Sequence, residues 1–448
     1  MDFKRFRRSI MLLCKGVITA AIACLFFYVF EVHYEEVSFH IKGNLVVVFL
    51  YIFLYLVFLQ AYGGFKIGIL RLRELVFSNA LAAFMSNFFL YFVMSLSVYR
   101  LLPLLPLLLC FLAQVALALP LYTLSLRIFQ WLYPPESAVM IRTEDARDSA
   151  NCNEFIEKST RYRVERVLTH IDRDNLNEVL SGYSVVVVGA ISTELRTALM
   201  AYCFEEDKQL FIIPSMEDIM LNNAVQYMAE DFLTYRCRNR AFTPDQLAIK
   251  RFLDIVFSAL LLLILSPVML VTSVAIKLQD GGPIFYKQKR LTRGGKEFSL
   301  NKFRSMVVDA EKETGAVRAG KADPRITPVG RIIRSCRIDE LPQLWNVLIG
   351  DMSMVGPRPE RPELFQEICT QFPQFAYRLK VKAGLTGFAH LYGRYDTAFE
   401  DKVRLDLLYI ERASLIQDIQ LLFYTLKIVF MKESASGVEQ KDEKDFPS

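Results

Sequence analysis

"FLDIVFSALLLLILSPVMLVTSVAIKL", Phe252–Leu278, is hydrocarbon almost throughout, with Ser266–Pro267 in its middle. As a straight helix at ~1.5 Å per residue it would reach about 40 Å, enough to cross a bilayer core of ~30 Å. Two features argue against crossing. Proline removes one helical hydrogen bond and clashes with the preceding turn, so a sharp bend is expected at Ser266–Pro267. Lys250 and Arg251 precede the run, and Lys277, Lys287, Lys289 and Arg290 follow it. A spanning helix would send one basic flank outward, whereas a helix that enters and returns keeps both flanks at one anionic surface. The stretch therefore reads as a re-entrant helix over about 252–278, whose freed backbone groups must be covered by protein or by Ser266.

The 448 residues are 53% hydrophobic, and the apolar ones crowd into the first third of the chain. Four runs there, Ile10–Phe30, Asn44–Tyr62, Leu75–Val98 and Leu101–Trp131, are each near the ~20 residues a membrane helix needs. Lys4, Arg5, Arg7 and Arg8 precede the first run. Glu31, Glu35 and Glu36 outweigh Lys42 after it, Lys66, Arg71 and Arg73 fill the next loop, and Arg100 stands alone in the third. This alternation predicts a four-helix transmembrane unit over 1–134 with both ends in the cytoplasm. Pro103, Pro106 and Pro120 are expected to delay or kink the fourth helix. The basic start followed by a long apolar run reads as an uncleaved first span rather than a signal peptide. The net charge of +5 is modest, and its Lys and Arg cluster beside apolar runs. That pattern fits membrane lipids or phosphates and argues against nucleic acid. Eight cysteines without a C-x-x-C pair and four histidines without ligand spacing point to reduced thiols and no zinc site.

From 135 to 236 the pattern changes. "SAVMI", "YRVERVLTHI", "YSVVVVGAI" and "QLFIIP" read as short buried strands separated by helix-length segments, a Rossmann-like α/β domain with a parallel sheet. The residues after the first strand, "IRTEDARD", carry no glycine, so the dinucleotide fingerprint is missing and a scaffold or homodimer-forming role is expected. A basic, aromatic linker occupies 237–249. The mainly α segment over 250–431 follows, and 432–448 is a polar tail expected to be disordered.

Within 250–431, "IDELPQLWNVLIG" carries apolar residues at Ile338, Leu341, Leu344, Trp345 and Leu348, which predicts a helix ending at Gly350 with Asp339 and Glu340 at its start. Adjacent carboxylates on a helix point about 100° apart, so one can act as nucleophile while its neighbour holds a metal or a proton. Alone, the pair could merely satisfy the helix dipole. Its surroundings suggest more. Arg331, Arg334 and Arg337 precede it, Arg358 and Arg361 follow in the proline-bracketed "GPRPERP", and Lys302 and Arg304 stand in "NKFRSM". Converging arginine forks suit phosphate oxygens. Glycines recur in "TRGGKEF", "VGPRP" and "KAGLTGFAHLYGR", where the backbone can approach a ligand. Gly384, Thr386, Gly387 and Arg394 are the candidates for a substrate loop.

Lys250 to about Phe430 resembles the monotopic phosphoglycosyltransferases, the bacterial sugar transferases that begin lipid-linked glycan assembly. The resemblance is carried by "KRFLDIV…SPVML", "PIFYKQKR", "GKEFSLNKFRSM", "DPRITPVGRIIRSCRIDELPQLWNVLIGDMSMVGPRPE" and "AGLTGFAHLYGR". The layout resembles the family's larger members, which start capsule, exopolysaccharide or O-antigen repeat units at the bacterial inner membrane with the catalytic domain on the cytoplasmic face. The resemblance implies that Asp339 attacks the β-phosphate of a UDP-sugar, releases UMP and carries the sugar phosphate, and that undecaprenyl phosphate then accepts it. It implies Mg²⁺ held by Asp339, Glu340 and the substrate. Glu340 would be the partner of the dyad, Arg334 would face the lipid phosphate, and Arg358 the nucleotide or transferring phosphate. Lys302 and Arg304 are further phosphate candidates. Ser266–Pro267 corresponds to the break in the re-entrant helix.

The chain departs from the family where Trp-Ala-Gln-Val-Asn-Gly-Arg is common. Here Phe388, Ala389, His390, Leu391, Tyr392, Gly393 and Arg394 stand, which leaves the sugar open and gives no reason to read His390 as catalytic. A catalytically idle assembly platform of the same pathway is the alternative, and a transferase releasing UDP is a further rival. Release of UMP separates both from the leading reading.

Overall fold

The computed structural model describes residues 6–37, 41–142, 161–189, 191–229, 232–237, 241–308, 323–393 and 399–430. Arg394 and the tail from 432 lie outside the described residues. The chain divides between Ile213 and Pro214 into two compact units.

The first unit opens with α1 (Arg7–His33), α2 (Ile41–Ala61), α3 (Leu72–Ser97) and α4 (Leu105–Leu132), one helix for each of the four apolar runs. Pro106 lies in the first turn of α4 and delays its start, and Pro120 is accommodated inside it. All four helices are long and apolar enough to cross a membrane. A single side chain from α4 ties them together. Gln114 Nε2 donates to the Tyr51 hydroxyl of α2 at 2.8 Å and to the Ile22 carbonyl of α1 at 3.3 Å, while its Oε1 accepts from Asn87 of α3 at 2.9 Å. Among apolar helices such a polar clamp supplies the specificity that hydrocarbon contact lacks.

Four parallel strands follow: β1 (Glu136–Ile141), β2 (Tyr162–Leu168), β3 (Val185–Val188) and β4 (Gln209–Ile212), in the spatial order β2-β1-β3-β4. Helices α5 (Leu176–Leu180) and α6 (Thr193–Glu205) lie between strands in the chain. Val139, Ile141, Val186 and Val188 pack against Leu180 and Leu199 on one face, and Ala138, Met140, Val185 and Val187 are buried on the other. Burial of both faces explains why these strands read as continuous apolar runs.

The second unit begins with α7 (Met216–Leu221) and an antiparallel hairpin, β5 (Val225–Ala229) with β6 (Phe232–Arg236). The division at 213/214 thus falls upstream of the expected boundary at 236. The physical reason is Ile219, which is 4% exposed in the core of the second unit, helped by the Asn223 side chain donating to the Glu411 carbonyl.

Helix α8 (Pro244–Asp280) contains the decisive apolar stretch. It starts eight residues before the expected 252, so the second part of the predicted linker, from Pro244, is helical. Thr243 and Gln246 form a reciprocal capping box, Pro244 occupies the first turn, and Gly281 closes the helix at φ 72°. The helix continues through Pro267. Proline offers no N–H to the Leu263 carbonyl four residues back, and the Ser266 hydroxyl donates to that carbonyl at 2.8 Å instead.

The rest of the unit is helical with small sheets: β7 (Phe285–Leu291) antiparallel to β8 (Glu297–Phe303), α9 (Pro328–Ser335), α10 (Gln343–Ile349), β9 (Ser353–Val355), α11 (Pro362–Gln371), β10 (Gly384–Thr386), α12 (Phe388–Leu391), α13 (Phe399–Arg412) and α14 (Leu415–Phe430). Its core gathers Phe298, Leu344, Met354, Phe375, Leu407 and Leu421. The last of these comes from α14.

Candidate active site

The carboxylate pair does not open an α-helix, as the apolar spacing suggests. Ile338–Glu340 form a 3₁₀ turn, entered through Arg337 in the left-handed conformation at φ 58°. Leu341 N–H bonds the Ile338 carbonyl at 3.1 Å, three residues back. Pro342 has no N–H with which to continue an α-helical ladder, so α10 begins only at Gln343. It ends at Gly350, φ 100°, as the sequence indicates. The helix dipole is therefore not what holds the pair.

Cations hold Glu340 instead. Lys302 Nζ and Arg358 Nη2 reach its Oε1 at 3.4 and 3.1 Å, and Arg337 Nη1 lies 3.6 Å from its Oε2. Lys302 arrives on β8, whose Phe298 and Leu300 are buried two and one pleats earlier on the same face. Burial raises the proton affinity of Glu340, but Arg358, Lys302 and Arg337 outweigh it and hold the carboxyl well below its ordinary value. Asp339 differs. Among the described residues the hydrogen bonds and ion pairs of this turn go to Glu340 and none to Asp339. Burial, then the adjacent Glu340 charge, push its pKa up to about 6, against the pull of Lys302, Arg334 and Arg337. One carboxylate is thus fixed and its charged form favoured, and the other, free of hydrogen bonds among the described residues, has its pKa raised to about 6.

The position of Arg358 follows from backbone packing. β9 and β10 pair in parallel, so the chain leaves both at the same end. Arg358 comes three residues after β9 and His390 four after β10, and the two side chains meet at 2.7 Å between Nη1 and Nε2. The glycines make the approach possible. A Cβ on Gly356 would lie 2.3 Å from the Lys382 carbonyl oxygen, one on Gly384 2.0 Å from the Gly356 nitrogen, and one on Gly387 2.3 Å from the Gly356 oxygen. These glycines admit backbone against backbone. Thr386 bonds the Thr425 hydroxyl of α14 at 2.7 Å and returns its carbonyl to Gly356 N–H at 2.8 Å.

The remaining candidates are spread around this centre. Arg334, in the last turn of α9, acts on Asp339 through charge. Arg304 pairs with Asp280 at the end of α8, with its guanidinium against Gly282, and among the described residues forms no hydrogen bond or ion pair with the carboxylate pair. Ser266 and Pro267 sit within α8, far along it from its two packed ends. Two residues are drawn in more closely than the sequence suggests: Arg337, whose left-handed backbone turns it onto Glu340, and His390. The only sequence signal for His390 was its place in a glycine-bracketed segment.

A magnesium ion fits this donor set in one way. Among the described residues no group of three or more His, Cys, Asp or Glu side chains gathers, so the protein alone offers no cage. Two carboxylates, one of them free of hydrogen bonds among the described residues, suit an ion that takes its other ligands from a diphosphate and water.

Residues 245–432 match the bacterial sugar transferase family. An Aeromonas hydrophila protein named UDP-N-acetylgalactosamine-undecaprenyl-phosphate N-acetylgalactosaminephosphotransferase is 39% identical over 42% of this chain and 45% of its own length. The undecaprenyl-phosphate galactose phosphotransferase of Salmonella typhimurium (strain LT2) is 35% identical over 51% of this chain and 50% of its own. The chain thus spans about half the length of these two relatives. A Bacillus subtilis (strain 168) protein, named "Putative undecaprenyl-phosphate N-acetylgalactosaminyl 1-phosphate transferase", is 53% identical over 31% of this chain and 76% of its own length. With the match centred on the Asp339–Glu340 turn and the segments that hold it, the chain belongs to the bacterial sugar transferase family.

Proposed function

We propose that this protein transfers a sugar 1-phosphate from a UDP-sugar to undecaprenyl phosphate, releasing UMP, by way of a phosphosugar carried on Asp339. The observation that carries the reading is the contrast within the pair. Among the described residues Asp339, a partly buried carboxylate, accepts no hydrogen bond, and its pKa is raised to about 6. It adjoins a Glu340 fixed by three cations. An Asp339 oxygen attacks the β-phosphorus, the bond from that phosphorus to the bridging oxygen breaks, and UMP leaves with the electron pair. An oxygen of undecaprenyl phosphate then attacks the same phosphorus, and the bond to Asp339 breaks, restoring the carboxylate. Arg358 and Lys302 hold the phosphoryl oxygens by charge and geometry, and Arg334 meets the lipid phosphate. Asp339 and Glu340 would hold Mg²⁺, which neutralises diphosphate charge when bound.

The same reading includes a helix α8 that enters the membrane from the cytoplasmic face and returns. What supports it is that both arms of α8 pack on one unit. Near its start, Arg251 donates to the Val347 and Leu348 carbonyls at 2.7 Å each, and Asp254 accepts from Met354 N–H at 2.9 Å. Near its end, Ile276 is buried with Phe303 and Ile333, and Gln279 accepts from Val329 N–H at 3.2 Å. Val347 adjoins Asn346, which accepts from Asn301 N–H at 3.0 Å, two residues from Phe303, so the segments that hold the two arms are themselves joined.

The test uses detergent-solubilised full-length protein with undecaprenyl phosphate, Mg²⁺ and a panel of UDP-glucose, UDP-galactose and their N-acetylated counterparts. UMP should appear with at least one donor. Release of UDP, or of neither nucleotide with any donor, overturns the reading.

A further inference from the structure

His390 lies where its sequence gave it no role, in contact with the guanidinium that faces the carboxylate pair. Arginine only donates, so at 2.7 Å from Arg358 Nη1 the His390 Nε2 must accept. The imidazole is therefore neutral, with its proton on Nδ1. Burial, and then the charge of Arg358, hold it in that state. Nδ1 is itself buried and among the described residues finds no acceptor, so the ring satisfies Arg358 at the expense of its own donor. Arg358 is consequently gripped on two edges, by His390 at Nη1 and by Glu340 Oε1 at Nη2. Its side chain remains 44% exposed, which leaves it accessible to a ligand. Two fixed contacts define the plane of a guanidinium, whereas one leaves it free to swing.

We propose that His390 is a positioning residue. Its Nε2 fixes the plane of the Arg358 guanidinium, so that the unused N–H groups of Arg358 meet the transferring phosphate in one geometry. This rests on the phosphate role of Arg358 proposed above. Loss of the acceptor lets Arg358 pivot about Glu340. The phosphate is then met in several orientations, and the loss falls on the transition state.

Two measurements on the full-length protein in detergent test this. The chain has four histidines, few enough for ¹⁵N-histidine NMR, with the His390 signal assigned by its loss in His390→Gln. Wild type should show a neutral ring protonated at Nδ1, and Arg358→Ala should shift it toward the Nε2-protonated tautomer. This arm needs no activity, so it stands whether or not UMP release is found. In the second arm, His390→Leu should lower kcat/KM for the donor about tenfold, mainly in kcat, with an unchanged Tm. His390→Gln, whose Oε1 replaces Nε2, should recover most of that loss. In an Arg358→Lys background, His390→Leu should cost less than about twofold, because the contact it removes is already gone. An Nε2-protonated ring in wild type overturns the proposal. So does a Gln variant as impaired as Leu, or full additivity with Arg358→Lys.

Discussion

At Asp339 the fold keeps a carboxylate where its charge is unwelcome. Burial and the Glu340 charge raise its pKa from 3.8 to about 6, so the folded protein holds that proton more tightly than the unfolded chain does. The stability contributed by protonated Asp339 is therefore complete at low pH and is lost as pH rises from about 4 to about 6. Asp339→Asn keeps the shape without the charge. Its Tm advantage over wild type, measured without metal and in EDTA, should be near zero at about pH 4. It should grow to a plateau above about pH 6.5 that corresponds to on the order of 3 kcal/mol of stability. A difference that does not change with pH would show that the carboxylate is not strained. The same variant should lose about 10⁴-fold in turnover, since an amide is no anionic nucleophile. Wild type given donor without lipid should carry one phosphosugar on Asp339, readable by intact mass, and the Asn variant none.

Among the elements, the β9–β10 pair carries the site. Gly356→Ala would drive a methyl group into the Lys382 carbonyl at 2.3 Å, and Gly384→Ala would press on the Gly356 nitrogen at 2.0 Å. In both cases the opposing atom is backbone and cannot turn aside. Either variant should lose at least about 3 kcal/mol, or fail to accumulate as folded protein, whereas Gly182→Ala, with open space around it, should be tolerated. Equal stability of the three would mean the strands can part. The sequence announced these glycines but not their purpose. A close approach is legible from composition, but whether ligand or backbone approaches depends on a pairing of segments about thirty residues apart. The membrane helices were legible because one apolar period fills each, and the buried strands because both faces are apolar. The start of α8 was missed: "TPDQ" is a capping box, but the basic and aromatic residues around it read as a linker. The 3₁₀ turn at Asp339 was legible only in part: Pro342, which stops an α-helical ladder there, stands in the sequence, but the left-handed Arg337 leaves no compositional trace. Within α8, replacing Ser266–Pro267 with Ala–Leu restores an N–H for the Leu263 carbonyl and removes the substitute donor. The helix should straighten, and its two arms cannot then both stay packed. Activity should fall at least about tenfold. Cysteines near Lys250 and Lys287 in a cysteine-free background, labelled by a membrane-impermeant maleimide from one side in wild type, should then label from opposite sides in part of the population. Labelling from opposite sides already in wild type would refute the re-entrant path.

For the whole molecule, the matched family begins at 245, yet the second compact unit begins at Pro214. The residues between are not idle chain. Ile219 is 4% exposed in the core, and Met216 and Met220 pack against it. The Asn223 side chain bonds the last turn of α13 at the Glu411 carbonyl. A chain beginning at Pro214 keeps these contacts, and one beginning at Thr243 exposes the surface Ile219 covered. Every residue assigned to the chemistry lies after Thr243, so both truncations should release UMP in detergent. They should differ in endurance. Losing one buried aliphatic side chain costs about 1.5–3 kcal/mol, and the shorter chain should unfold at a correspondingly lower temperature and inactivate faster at a given one. Replacing Ile219 with Ala in the longer chain should reproduce much of that difference without shortening it. Equal thermal midpoints for the two truncations would mean that α7 is a passenger on the transferase. Loss of all UMP release in both would mean that the first unit takes part in catalysis.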